Sequence, residues 1–95
     1  MKFREKPATV EAVKFQAGAI MPAWFTDRVK ENIIVVKNDG TCELNTSDGV
    51  LTSNKGDYII LDINGNVYPC RPEIFERAYE RVVGRSEGNG RVITI

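Results

Sequence analysis

Two short stretches of this chain carry residue types that could do chemistry. Cys70 stands directly before Arg71 and Pro72, and proline is well suited to the first position of a helix. A nearby cation and the positive end of a helix dipole both lower the pKa of a thiol, so this corner is a candidate site for a reactive thiolate. Asp57 follows Gly56 at the start of an apolar segment, where an aspartate usually accepts hydrogen bonds from the amides of a turn. We therefore interpret Asp57 as a turn residue.

The sequence contains no histidine, which narrows the classes of enzyme it could be. Histidine is the usual general base, the usual partner of a serine or cysteine nucleophile, and the commonest zinc ligand. Cys42 and Cys70 are too few for a four-thiolate zinc site, and we expect free, buried thiols, with a disulfide as the alternative. We predict a non-enzymatic protein without cofactor or metal. An unusual enzyme built on a carboxylate or on Cys70 is the weaker alternative.

A binding role fits the residue types better. Near the predicted ends of strands and helices stand aromatic and arginine side chains, which with Cys70 form our candidate ligand-binding set: Trp24, Tyr58, Tyr68, Cys70 and Arg71. Arg71 and the free amides behind Pro72 are the best cradle for a small anionic ligand. For Trp24, we favour a role as a core anchor over one in ligand stacking.

Composition limits the partners. The 13 basic and 13 acidic residues cancel, so nucleic acid and anionic membranes are not expected as partners. No apolar run approaches the ~20 residues that a membrane-spanning helix needs. The charged first residues do not resemble a secretory signal, and we expect a cytoplasmic protein.

The chain of 95 residues is long enough for one domain. We place it at residues 1–83 and interpret residues 84–95 as a flexible, glycine-rich tail. The tail ends in a possible strand from Arg91 to Ile95. That strand could join a sheet edge of this chain, join a second copy and so form a homo-oligomer, or remain a frayed end.

The elements before residue 55 follow from periodicity and turn residues. We predict a first strand over residues 8–15, with Val13 and Phe15 on one face, and a helix from Pro22 to about residue 31. Its apolar stripe comprises Ile20, Trp24, Phe25 and Val29, and Asn32 suits the left-handed position after it. Residues 33–37 and 41–46 form a hairpin around the turn at 38–40, in which Cys42 and Leu44 face inward. Another turn leads to a strand at 50–52.

The later elements are a strand at 58–61 and a partner at 67–68. Between these two strands, Asn64 and Gly65 predict a type I′ turn, in which both residues have positive φ. Pro69 ends that ladder, and Pro72 starts a short helix. Its apolar stripe comprises Ile74, Phe75 and Ala78. The helix either continues through Val82 or, as we favour, gives way to a strand at 79–83.

The predicted fold is therefore α+β. It is a curled antiparallel β-meander of about five to six strands, with one helix after the first strand and a short helix near the C-terminus.

Several blocks of the sequence resemble a family of small proteins encoded by bacteriophages and prophages. The blocks are Lys6 with Pro7, residues 10–15 (Val-Glu-Ala-Val-Lys-Phe), 22–25 (Pro-Ala-Trp-Phe), 56–60 (Gly-Asp-Tyr-Ile-Ile), 68–76 (Tyr-Pro-Cys-Arg-Pro-Glu-Ile-Phe-Glu), and Tyr79 with Glu80. They occur in the same order as in the family, over most of the first 82 residues, and the block at 68–76 is the most specific. The tail departs from the family pattern.

The resemblance implies a biological context and carries over no catalytic residue, since the family is uncharacterised. Small early phage proteins commonly bind and disable a component of the host. The resemblance therefore implies a binding protein for host takeover or anti-defence, which interferes with a host protein or sequesters a host-made small molecule such as a nucleotide signal. A structural or assembly protein of the virion is the alternative.

Overall fold

The described part of the chain is built from two helices, two three-stranded antiparallel sheets and a short parallel ribbon. The computed structural model describes residues 1–2, 10–16, 18–81 and 92–93. In chain order the elements are β1 (Glu11–Lys14), α1 (Ala23–Lys30), β2 (Ile34–Val36), β3 (Cys42–Thr46), β4 (Gly49–Ser53), β5 (Tyr58–Leu61), β6 (Val67–Cys70), α2 (Pro72–Ala78), β7 (Glu80–Arg81) and β8 (Val92–Ile93). The predicted α+β class is confirmed, including a helix after the first strand and a second helix near the C-terminus.

The strands divide into two sheets with different connectivity. The second sheet, in the order β2-β3-β4, consists of consecutive hairpins. The first sheet has the order β1-β5-β6, so β1 pairs with a strand more than 40 positions later in the chain. In this antiparallel pair Val13 lies opposite Ile59 and Lys14 lies opposite Tyr58. This long-range pairing brings the end of β1 beside the start of β5.

The apolar core lies on both faces of the first sheet. The larger cluster joins both sheets and α1 through seven buried residues: Val13, Phe25, Ile34, Cys42, Leu44, Ile59 and Val67. The smaller cluster lies beneath α2 and comprises Ala12, Ile60 and Phe75. Ile59 and Ile60 are both fully buried. Because β5 is covered on both faces, its sequence is a continuous apolar run rather than an alternating one.

Helix α1 packs through Phe25, which is buried, while Trp24 and Val29 are half-buried against the same core. The prediction that Ile20 belongs to this stripe is wrong. Its side chain is 98% exposed, because the helix begins only at Ala23. Pro22 is accordingly the N-cap residue rather than the first helical residue.

The end of α1 agrees with the prediction. Asn32 has φ 62°, the left-handed conformation that an asparagine tolerates after a helix. Arg28 then ties the helix to the β5–β6 hairpin, since its Nη2 donates a hydrogen bond to the Gly65 carbonyl oxygen at 3.0 Å.

The β5–β6 connection is a hairpin, as predicted, but its turn type differs. Gly65 has φ 86°, whereas among the described residues other than glycine only Asn32 has positive φ, so a type I′ turn is wrong. The reason is the Asp62 carboxylate, whose Oδ1 accepts hydrogen bonds from the amides of Asn64 and Asn66 at 2.9 Å each. This holds a three-residue loop in which only the glycine needs the left-handed conformation.

Pro69 does not end the ladder, contrary to the prediction. It lies opposite Ile59 within β6, and Cys70 continues the pairing opposite Tyr58. Because β6 is an edge strand of the first sheet, the missing amide proton of Pro69 costs no ladder hydrogen bond.

Helix α2 begins at Pro72, as predicted. Phe75 is buried, but Ile74 is 50% exposed and Ala78 is exposed, so the predicted apolar stripe is right only for Phe75. The helix has seven residues, and Phe75 is the residue through which it packs on the first sheet.

The chain becomes extended after α2, which confirms the short helix followed by a strand. Strand β7 pairs in parallel with β8 of the same chain. The remainder of that predicted strand, Val82 and Val83, lies outside the described residues, as do residues 84–91 and 94–95 of the predicted tail and residues 8–9 of the predicted first strand.

Candidate functional site

A cleft of about 620 Å³ lies where the end of β1 meets the β2–β3 turn and the β4–β5 turn. Its described lining comes from residues 14–16, from the β2–β3 turn at 38–40, and from Lys55 and Gly56 in the β4–β5 turn. We call it the two-lysine cleft, after Lys14 and Lys55. Its volume lies within the range of about 300–1,000 Å³ that is typical of small-molecule sites.

The long-range pairing of β1 with β5 creates this cleft. Lys14 lies opposite Tyr58 in the sheet. Tyr58 follows Lys55 by only three positions in the sequence. The Lys14 ammonium stands 5.1 Å from the centre of the Tyr58 ring. The register therefore brings together two cations that are 41 positions apart in the sequence.

The third wall, the β2–β3 turn, is in contact with Lys55. The aliphatic carbons of Lys55 lie 3.6–3.9 Å from the position that a Cβ atom on Gly40 would occupy. Gly40 also has φ 88°, which a side chain would strain. A Cβ atom there would be in ordinary van der Waals contact with the lysine stem, so it is the positive φ of the turn that requires the glycine.

Asp39 is the acidic group of the cleft. Its Oδ1 accepts hydrogen bonds from the Thr41 hydroxyl at 2.7 Å and from the Thr41 amide at 3.0 Å. These bonds, with a smaller effect of the nearby Lys37 charge, hold the pKa of the Asp39 carboxyl below its ordinary value of 3.8. The carboxylate is therefore charged at neutral pH, and its Oδ2 makes no hydrogen bond to a described residue.

The β4–β5 turn is organised by Asp57, which is 8% exposed. Its Oδ2 accepts a hydrogen bond from the Asn54 amide at 2.9 Å, and its own amide donates to the Asn54 carbonyl oxygen at 2.9 Å. The interpretation of Asp57 as a turn residue is confirmed. Lys55 and Gly56 occupy the centre of this turn, and their amides donate to no other described residue.

The electrostatic balance of the two-lysine cleft is positive. Neither lysine of the cleft makes an ion pair with a described residue. The Asp39 carboxylate lies in the same cleft, and the lysine whose charge lowers its pKa is Lys37, which does not line the cleft. Two lysines and one aspartate therefore line the cleft, beside the turn residue Gly56.

The five residues predicted to bind a ligand do not line this cleft. Tyr58, Tyr68 and Cys70 pack against the smaller core, and Trp24 packs against the larger one. The Tyr58 ring stacks on Phe75 with centroids 3.9 Å apart. These aromatic side chains therefore contribute to packing, and Tyr58 is connected to the cleft only through its contact with Lys14.

Arg71, the fifth of these residues, is exposed but already neutralised. Its Nε and Nη2 atoms each lie 3.0 Å from the same oxygen of Glu73. An anionic ligand at this corner would have to compete with that carboxylate.

The candidate site for a reactive thiolate at Cys70 lacks the lowered pKa that such a thiol needs. Burial, followed by the negative charges of Asp57 and Glu73, raises the pKa of the Cys70 thiol above its ordinary value of 9.0. The other thiol, Cys42, is buried, and its pKa is raised by burial. Both cysteines are free, as predicted, and the alternative of a disulfide is wrong.

Sequence reasoning missed the residues that line the two-lysine cleft. It identified the turn at 38–40 and interpreted Asp57 as a turn residue, so a local signal for each of these walls was present. Nothing in the local pattern indicates that these turns meet each other and the end of β1. That information lies in the β1–β5 register.

Comparison with known proteins adds no relative. No protein-family model, curated protein or solved structure matches this chain significantly. The resemblance to the phage family stays a prediction.

Among the described residues, no helix has the length and apolar character that crossing a bilayer requires. Within the same ranges, no three acidic or cysteine side chains gather closely enough to hold a metal ion.

Proposed function

We propose that this protein is a non-enzymatic binding protein that takes a small anionic ligand into the two-lysine cleft. The observation that carries the proposal is that two lysines, Lys14 and Lys55, line one cleft and form no ion pair with another described residue. The amides of Lys55 and Gly56, which donate to no other described residue, support it, because successive backbone amides in a turn favour anions.

The expected affinity for a simple anion is modest. A hydrogen bond to a charged group contributes about 1.5–3 kcal/mol, so two of them contribute about 3–6 kcal/mol. These contributions set a lower limit of roughly 40 μM on the dissociation constant, because association also costs translational and rotational freedom. The Asp39 carboxylate repels an anion and weakens the expected binding further.

The resemblance to phage proteins suggests where such a ligand originates. A phage-encoded binding protein would act in the cytoplasm of the infected cell on a molecule made by the host. Sequestration requires only a filled cleft and no catalytic group. The lysine pair is therefore compatible with anti-defence or host takeover through a host-made small anion.

The test is a titration of the protein with inorganic phosphate, followed by NMR of the backbone amides. We expect saturable shifts centred on Gly40, Lys55 and Gly56, which weaken as sodium chloride is added. Lys55→Met should weaken binding about 10-fold. Lys14→Met should have a smaller effect, because this ammonium already lies against the Tyr58 ring.

Lys30→Met is the matched control, since Lys30 is an exposed lysine at the end of α1 and does not line the cleft. Its phosphate binding should equal that of the wild type. Shifts that do not saturate, or an equal loss in Lys30→Met and Lys55→Met, would contradict the proposal.

A further inference from the structure

We infer that the ligand of the two-lysine cleft is a ring-bearing anion with hydrogen-bond donors, the chemical class to which nucleoside monophosphates belong. This inference rests on the proposed function and specifies its ligand. Three features of the cleft distinguish such a molecule from a simple anion: an aromatic wall, an acceptor beside the cations, and the available volume.

The aromatic wall is Phe15. Its side chain is half-buried and lines the cleft directly after Lys14. The ring stacks on Phe25, with centroids 5.6 Å apart and planes within 10°. Because Phe25 is itself buried in the larger core, it supports one side of the Phe15 ring and holds it in place.

A fixed aromatic ring beside two cations offers a second contact to a ligand that carries its own ring. A base stacked on an aromatic side chain gains affinity whatever the identity of the base. The gain expected from one such stack is roughly 5-fold to 160-fold. An inorganic anion cannot use this wall.

The acceptor is the Asp39 carboxylate. Its Oδ1 is occupied by Thr41, whereas its Oδ2 has no partner among the described residues. A carboxylate beside two lysines weakens the binding of a bare anion, but it accepts a hydrogen bond from a hydroxyl or amino group. Gln16 and Asn38 line the same cleft, and their side chains carry amide donors and acceptors. The arrangement therefore favours a ligand that carries both an anion and donors.

The volume points in the same direction. The cleft of about 620 Å³ falls within the range that accommodates drug-sized ligands. An inorganic anion would fill only a small part of it, whereas a ring joined to an anionic group could reach Phe15, Asp39 and the lysines together.

The test compares four probes on the intact protein by calorimetry and NMR: inorganic phosphate, phenyl phosphate, adenosine 5′-monophosphate and adenosine. We expect phenyl phosphate to bind at least 5-fold more tightly than inorganic phosphate because it adds a ring. Adenosine 5′-monophosphate should bind more tightly still because it adds donors for Asp39. Adenosine, which lacks the anion, should bind more weakly than the monophosphate.

Two variants assign the effects to residues. Phe15→Leu should weaken binding of the monophosphate at least 5-fold more than it weakens binding of inorganic phosphate. Because this change also touches the core, Asp39→Asn provides an independent measurement at an exposed position. It should strengthen phosphate binding by removing a like charge and reduce the advantage of adenosine 5′-monophosphate over phenyl phosphate.

The possible failures are distinguishable. Equal affinities for inorganic phosphate, phenyl phosphate and the monophosphate would overturn this inference and leave the proposed anion site standing. An equal loss of phosphate and monophosphate binding in Phe15→Leu would overturn the aromatic wall. Binding of none of the four probes, or of adenosine as tightly as the monophosphate, would overturn both the inference and the proposed function.

Discussion

Replacement of Phe75 by alanine should be among the most destabilising single changes outside the larger core. Phe75 is 2% exposed and is the one buried residue of α2. Its ring stacks on Tyr58 at 3.9 Å and on Tyr79 at 5.0 Å between centroids. A helix of seven residues does not persist alone, so the contact of this ring with the first sheet holds α2 in place.

The magnitude follows from the burial. Truncation of a buried phenylalanine to alanine costs about 3–5 kcal/mol, including the cavity that it leaves. Each of the two aromatic pairs contributes about 0.5–1.5 kcal/mol beyond burial, so Phe75→Leu, which keeps most of the apolar volume, should still cost about 1–3 kcal/mol. The whole domain has an expected stability of roughly 5–14 kcal/mol, so the alanine variant should fold but with little margin.

The assay is urea unfolding followed by circular dichroism, from which the free energy of unfolding is extrapolated to water. Ile74→Ala is the matched control on the same helix, since the Ile74 side chain is 50% exposed. It should cost about 0.5 kcal/mol or less. We expect the losses to increase in the order Ile74→Ala, Phe75→Leu, Phe75→Ala.

Two results would refute this reasoning. A loss below about 1 kcal/mol in Phe75→Ala would mean that the ring does not anchor α2 on the sheet. An equal loss in Ile74→Ala and Phe75→Ala would mean that the helix buries a different face.

Three further predictions concern the backbone, the tyrosines and the thiols. Asn32→Gly should leave the free energy of unfolding unchanged or higher, whereas Asn32→Val should lower it by about 1–2 kcal/mol in urea titrations, because φ is 62° there. Burial, and then a hydrogen bond with Tyr79, raise the pKa of Tyr68 above its ordinary value of 10.0, so the folded state keeps this proton to higher pH than the unfolded state. The free energy of unfolding should therefore hold below pH 10 and fall as the pH rises above it. This fall should be shallower in Tyr68→Phe, and an equal fall in both proteins would contradict the explanation. In a disulfide-exchange assay at pH 8, Cys70 should react more slowly than an unfolded thiol, and Cys42 should react only after unfolding, because burial raises the pKa of both thiols. Rapid labelling of Cys42 in the native protein would contradict its burial.

The parts of the fold that depend on neighbouring residues were predictable. The alternation in β3 identified Cys42 and Leu44 as buried, and Pro72 marked the start of α2. The left-handed conformation of Asn32 after α1 also followed from local preference. In each case the cause acts within a few positions, through backbone sterics or through the two-residue repeat of a strand.

Errors occurred where a distant contact or a specific hydrogen bond overrides the local preference. The Asp62 carboxylate selects the hairpin loop and removes the positive φ expected at Asn64. The position of β6 at a sheet edge allows Pro69 to remain within the strand. Glu73 neutralises Arg71, and burial raises the pKa of Cys70, so the features that suggested a reactive corner are cancelled there.

The sequence by itself determined the α+β class, most element positions and the turns that bound the two-lysine cleft, because all of these depend on short-range preferences. Only the tertiary structure decided that β1 pairs with β5. The register of that pairing places Lys14 and Lys55 in the lining of one cleft. The physical reason is that strand pairing over more than 40 positions is selected by the joint burial of both faces of β5, which no local window of sequence contains. The candidate site is therefore a property of the register.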